Sequence, residues 1–360
     1  MTDTTLTSWP ARIRSLRQTL TRHPLFLPVL TLLVLLLVNR AFNAHFFHVE
    51  NKDGHLFGSL IDILNRASPL ALVALGMTPV IATRGVDVSV GAVVAICAAT
   101  AAVLIGGNMQ IVNGVETYVS NVPLAVAIIA ALAVGLLCGL WNGALVSVVG
   151  MQPIIATLIL MVAGRGIAQL LTSGQIITIY YQPYFFLGAG FLFGLPFALY
   201  IVAAVGLLLW FLTKRTALGL FITAIGINPT ASHFAGIKAR AITLCVYGFS
   251  GLMAGAAGLV ISANVKSADG NNAGLLMELD AILAVTLGGT SLAGGRFSLV
   301  GSLIGALIIQ TLTYTTYSIG VPPEANLVVK AIVVFVVCVV QSEPVRRLII
   351  RDPSWQGAMR

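Results

Sequence analysis

The sequence predicts an all-α protein, a polytopic membrane helix bundle of about ten transmembrane helices. Three observations carry that expectation. Charged residues make up 9% of the 360 and hydrophobic residues 58%, with a mean hydropathy of +0.97, whereas soluble domains carry about 25% charged residues. Apolar segments close to the ~20 residues of a spanning helix follow one another with short connections. Finally, Lys and Arg gather where short cytoplasmic loops retain them. Arg12, Arg14, Arg17 and Arg22 precede the first span, Lys214, Arg215, Lys238 and Arg240 bracket a mid-chain loop, and Arg346, Arg347 and Arg351 follow the last span. Both termini and the central loop are therefore expected in the cytoplasm, with an even number of crossings on each side of that loop.

The expected crossings lie near 24–47, 62–83, 88–107, 122–149, 153–173, 196–213, 241–263, 279–290, 298–319 and 326–342. The first is basic and then apolar, but Asn39 and Arg40 follow it instead of a small-residue cleavage site, so it reads as an uncleaved anchor. The second contains Pro69 and Pro79 and is expected to kink. Pro153 and Pro196 open helices. The eighth is too short to cross unaided and runs into GGTSLAGG. Helix breaks are thus expected at Gly85 and Gly91 and again at Gly288, Gly289, Gly294 and Gly295, a hint of internal symmetry. Loop 174–195 has no charge but carries Tyr180, Tyr181, Tyr184, Phe185 and Phe186, rings suited to a membrane interface. The chain divides into a cytoplasmic segment 1–23, a transmembrane domain 24–342 with the loop 214–240 inside it, and a cytoplasmic tail 343–360.

Small residues recur four apart: Gly135, Gly139 and Gly143, then Gly251 and Gly255, then Gly301 and Gly305. That spacing lets helix backbones approach closely, within the chain or between subunits. Polar groups at membrane depth need a partner or a wet path. Arg66, Arg165 and Lys330 read as snorkelling to an interface. Asp87 reads as capping the helix that starts near Ser89, as pairing with Arg84, or as touching a solute. Asn65, Asp87, Ser89, Asn142, Gln169 and Gln310 are the candidates for lining a path for a neutral, hydroxyl-rich solute; failing that, the amides bond between helices.

Several activities are disfavoured. The net charge of +8 follows from membrane orientation and implies no nucleic-acid partner. There is no GxxxxGK[ST] phosphate loop, GxSxG elbow or HExxH pair, so no catalytic residue and no cofactor is expected. His45, His48 and His55 near Glu50 and Asp53 have no metal-specific spacing, and the four cysteines stand singly in apolar runs as small core residues. No chain of Asp, Glu and His crosses the bilayer as a proton relay would. The central loop, basic and free of acids, reads as a docking surface for a soluble engine.

Three motifs fit together. TRGVDVSVG occupies 83–91, GINPTASHFAGI occupies 226–237, and ELDAILAVTLGGTSLAGG occupies 278–295. In these the chain resembles, from about residue 60 to 342, the permease subunits of bacterial ABC importers for ribose, arabinose and galactose. Three further stretches, 53–72, 152–178 and 268–274, are similar to the galactofuranose-importer branch of that family. The resemblance implies a type II ABC importer-like permease in the bacterial inner membrane, surrounded by lipid. Its implied partners are an ATPase subunit with two nucleotide domains, a second permease that is a paralogue, and a periplasmic sugar-binding protein. It implies that loop 214–240 couples to the ATPase through Arg215, Gly219, Gly226, Asn228 and Gly236. Arg84 and Phe297 stand where that family has glycine, and Thr230 and Ser232 where acidic or alanine residues are usual.

Overall fold

The computed structural model describes residues 25–52, 54–112 and 115–341. The terminal basic clusters and the expected terminal segments, 1–23 and 343–360, lie outside the described residues. Helices form at all ten expected segments: α1 (Phe26–Phe42), α2 (Ser59–Ala82), α3 (Val90–Ile105), α4 (Leu124–Ala144, closing in a π-turn over Leu145–Val149), α5 (Pro153–Leu171), α7 (Phe197–Arg215), α10 (Ala239–Val265), α11 (Met277–Leu287), α12 (Leu299–Ser318) and α13 (Pro323–Gln341). Three shorter helices lie in the connections: α6 (Gln182–Ala189), α8 (Leu218–Ile227) and α9 (Pro229–Phe234). Among the described residues, six helices are long and apolar enough to cross a membrane on length and composition alone. The others, α11 at 11 residues above all, depend on their neighbours.

Helices α2, α3 and α10 form the centre, with α4 against α10 and α3, and α11 and α12 against α2. Glycine sets the closest of these approaches. A Cβ on Gly135 would stand 2.6 Å from the carbonyl oxygen of Gly251, and one on Gly143 would stand 3.0 Å from the Cα of Leu244. Gly301 and Gly305 meet the backbones of Gly288 and Ala284 in the same way. The fourfold glycine spacing therefore serves packing within the chain. In a bilayer, where lipid is as apolar as leucine, such van der Waals fit drives helix association.

The connections hold more structure than the sequence suggested. Strands β1 (Glu50–Lys52) and β2 (His55–Phe57) form a hairpin, as do β3 (Asn108–Val112) and β4 (Val115–Val119). β6 (Phe191–Leu192) and β7 (Leu195–Pro196) form a third, and β5 (Ile177–Thr178) pairs with β8 (Ser267–Ala268) across a long sequence gap. Tyr184, expected among interfacial rings, is instead fully buried, and its hydroxyl lies 2.6 Å from Ser262 Oγ on α10. A buried phenol needs such a partner. Tyr180 stacks on Tyr118 of β4 with ring centroids 4.6 Å apart. Helix α2 continues through both prolines.

If backbone contact holds α4 to α10, replacing Gly251 by Val should destabilise the detergent-solubilised chain by about 1–3 kcal/mol. Gly166→Val, where an added Cβ meets nothing within 4 Å, should leave the thermal midpoint in place.

Candidate functional site

Two interruptions in the helical framework organise the functional residues. The first, 83–89, separates α2 from α3. The second, 288–298, separates α11 from α12. Irregular backbone inside a bilayer must find donors and acceptors within the protein, and at both places it does.

At the first break, Asp87 is 1% exposed. Its Oδ1 accepts from the Ser89 hydroxyl at 2.6 Å and from the Ser89 N–H at 3.1 Å, and its Oδ2 accepts from the Ser250 hydroxyl of α10 at 3.0 Å. Asn142 Nδ2, from α4, donates to Ser89 Oγ at 2.8 Å and lies 3.4 Å from Asp87 Oδ1. The hydroxyls of Tyr247 and Thr157 both reach the Val86 carbonyl at 3.4 Å. Asp87 therefore turns the chain into α3, as the capping alternative expected, and fastens the break to α4 and α10, while Thr157 of α5 holds the neighbouring Val86 and Val88 backbone. Asp87, Ser89 and Asn142, named as path candidates, are sealed inside the chain in this conformation. Asn142 follows the interhelical alternative.

Arg84 does not pair with Asp87. It sits at φ +64°, a left-handed conformation that glycine adopts freely and arginine rarely does. From there its guanidinium donates to three carbonyls: Nε to Gly226 at 2.6 Å and Ala293 at 3.1 Å, and Nη2 to Ile227 at 2.6 Å. The Gly295 N–H donates to the Ala82 carbonyl at 2.9 Å alongside. Gly294 and Gly295, at φ +81° and +77°, shape the turn that receives it. One side chain thus ties the first break, the second break and the end of α8 together. Charge-assisted bonds to carbonyls contribute on the order of 1.5–3 kcal/mol each, enough to outweigh the backbone strain of about 1–3 kcal/mol.

The loop itself is two short helices at an angle. Asn228 caps α9 by accepting from the Ala231 N–H at 3.0 Å. Gly219 and Gly226 are buried against the Thr213 and Ala82 backbones, and Gly236 turns the chain at φ +81°. Arg215 is exposed. So are three large apolar side chains, Leu220, Ile227 and Phe234, the last at 85%. Exposed residues of this size beside Lys and Arg suit a protein partner.

A second polar group lies on the outer part of α5. Leu158, Val162, Arg165 and Gln169 share one face by their spacing, apolar in its first half and polar in its second. Arg165 Nη1 donates to the carbonyls of Ala273 at 2.6 Å and Asn271 at 3.2 Å. It is a clamp on the irregular segment 269–276, not a snorkelling side chain. Gln169 Nε2 donates to Asn271 Oδ1 at 2.9 Å. Asp269 accepts from the backbone N–H groups of Asn271 and Asn272 and from the Asn272 amide at 2.7 Å. Burial works to raise the Asp269 pKa, but the Asn272 amide and the two N–H donors outweigh it, so the carboxyl titrates below its usual range. Because that pKa is depressed, the turn keeps its hold through mildly acidic pH. It is lost only as pH falls past the lowered value. Gln169, Asn271 and Asn272 are exposed. Sequence reasoning identified Gln169 but not its partners, because nothing in the spacing shows that residue 271 returns to α5.

The remaining candidates stand apart. Asn65 is half-buried on α2, at the wall of a cavity of about 160 Å³ shared with Phe57, Asp62 and Phe191. Gln310 is half-buried on α12. Lys330, expected to snorkel, donates to Asp280 Oδ2 at 2.5 Å, so an ion pair joins α13 to α11. Arg66 pairs with Asp62 at 2.9 Å on an exposed turn. Among the described residues no group of three or more His, Cys, Asp or Glu could hold a metal ion.

Comparison with known proteins gives a consistent picture. The family described as branched-chain amino acid transport system / permease component matches residues 59–338. The chain is 50% identical to the galactofuranose transporter permease protein of Escherichia coli over 89% of this chain and 91% of that one. It is 41% identical to the fructose import permease protein of Bifidobacterium longum, over 83% and 82% of the two chains. It is 35% identical to the ribose import permease protein of Escherichia coli, over 88% and 92%. No solved structure matches.

Replacing Arg84 by Ala should free the end of α8 from both breaks. Amide exchange at 226–228 and 293–295 should then accelerate by about tenfold or more, while 160–168 stays protected. Uniform exchange rates would show that the clamp carries no stability.

Proposed function

The chain belongs to the branched-chain amino acid transport system / permease component family and is a multi-pass inner-membrane permease of an ABC sugar importer, and on that premise we propose that it carries galactofuranose into the cytoplasm. The observation that carries the sugar assignment is the 50% identity, over nearly the whole length of both chains, to a permease named for that sugar.

Transport needs partners. The chain has no phosphate loop, so ATP hydrolysis falls to a cytoplasmic ATPase subunit with two nucleotide domains. Loop 214–240 is the part that subunit grips, through Ile227, Phe234 and the basic residues Arg215, Lys238 and Arg240. Closure of the ATPase moves α8 and α9 as a lever. Arg84 transmits the displacement, because it holds the carbonyls at 226 and 227 to both helix breaks at once. The loop and both termini lie in the cytoplasm, and a periplasmic sugar-binding protein delivers the cargo from the other side.

The path runs along the α5 face, between this permease and a second, paralogous one. Support comes from the polar row Gln169, Asn271 and Asn272, which is exposed among the described residues. Polar side chains facing outward at membrane depth require a wet path or a partner, and amides are suited to sugar hydroxyls. An unpaired hydroxyl in a dry site costs about 2–7 kcal/mol, so the path is wet and binds weakly, with affinity left to the soluble partner. Asp87, Ser89 and Asn142 serve it indirectly, by anchoring the break against which α3 moves.

Three measurements test this. In cells with this importer as their sole route, galactofuranose should compete with labelled sugar far better than galactopyranose; equal competition would remove the assignment. Gly236→Val, strained at its positive φ, should let the assembled importer hydrolyse ATP while uptake falls by about tenfold or more. The lone chain in liposomes should move no sugar uphill, with or without ATP.

A further inference from the structure

The cytoplasmic end of α7 stands away from the start of α12 and leaves an open cavity of about 840 Å³. Its wall has two parts. Trp210, Leu220, Phe297 and Leu299 form an apolar side, and Lys214 and Arg296 stand at its edge. No acidic residue lines it, and neither cation makes an ion pair among the described residues. The N-terminus of α12, a 20-residue helix, opens into the same space and adds partial positive charge. Above it, α7 turns Leu207, Leu208 and Phe211 outward. An apolar wall that continues along an outward-facing helix, ending in an aromatic ring and two unpaired cations, matches an amphiphile with an anionic head. Its acyl chains would lie on α7 and its phosphate between Lys214 and Arg296.

The geometry points to a binding site for one anionic phospholipid. A soluble protein partner would leave the outward row of α7 unmatched, and a free phosphate would leave the apolar wall unmatched. Gly219, Leu220 and Thr223 of the loop form one side of the cavity, so the lipid headgroup would bear directly on the first loop helix. Each cation near a membrane surface enriches anionic lipid by about fivefold.

The test uses the full chain in symmetric vesicles of phosphatidylcholine, so the result does not depend on which way the loop faces. Acyl-brominated phosphatidylglycerol is compared with acyl-brominated phosphatidylcholine at equal mole fraction. Quenching of Trp210 fluorescence is isolated as the difference between the native chain and Trp210→Phe. Stronger quenching by the anionic lipid, reversed in the Lys214→Gln/Arg296→Gln double variant and kept in Lys214→Arg/Arg296→Lys, supports the site. The charge-preserving variant separates loss of binding from loss of folding. Equal quenching by the two lipids would overturn the proposal, and so would an unchanged signal in the Gln variant. Displacement by millimolar soluble glycerol phosphate would also overturn it, because the ligand would then be a free phosphate and not a lipid.

Discussion

Hydrocarbon offers no water to an unpaired backbone group, and this chain interrupts its helices where water is scarce. Everything distinctive in the structure answers that constraint. The first break is closed by the Asp87 carboxylate, which gathers donors from its own turn and from α4 and α10. The second break is closed by glycine turns and by the bond from Gly295 to Ala82. Two arginines finish the work in the same way on two faces: Arg84 takes three carbonyls near the loop, and Arg165 takes two in the segment after α10. In both cases the guanidinium, exposed at Arg84 and half-buried at Arg165, bonds to carbonyl dipoles and not to a carboxylate.

This device links packing to motion. Glycine-mediated contact between α4 and α10 leaves little room for sliding, so that pair behaves as a rigid frame. The breaks are held by side chains instead of by interlocked backbones. Hydrogen bonds at a single guanidinium can be exchanged for others at modest cost, whereas interlocked backbones cannot separate without opening voids. The end of α8 is joined inward at Arg84 and at Gly226, which packs on the Ala82 backbone.

Polar side chains in the bundle consequently divide into two kinds. Asp87, Ser89, Asn142 and Ser250 bond to one another and face inward, with only Asn142 Oδ1 among them left without a partner. Gln169 bonds across to Asn271, Asn272 bonds to Asp269, and all three amide residues remain exposed. Only the second kind is exposed. In sequence the two kinds look alike, since both are isolated amides, hydroxyls or acids in apolar or glycine-rich surroundings.

Much of the architecture was legible in the residues because it depends on one-dimensional properties. Apolar length located ten of the thirteen described helices, basic residues marked the loop, and the glycine clusters marked both breaks. The structure places Gly226, the first residue of the 226–237 motif, against the Ala82 backbone beside the first break, and Asp87 within that break. Tertiary structure alone decided which partner each polar group takes. Arg84 had Asp87 three residues away and bonds instead to carbonyls more than a hundred residues distant. Arg165 and Lys330 had an interface available in principle and found a carbonyl pair and an acid. Tyr184 left its neighbouring rings for Ser262. The physical reason is shared: helix formation in a membrane is local and follows composition, whereas satisfaction of a buried polar group depends on which segments the packing brings within about 3 Å.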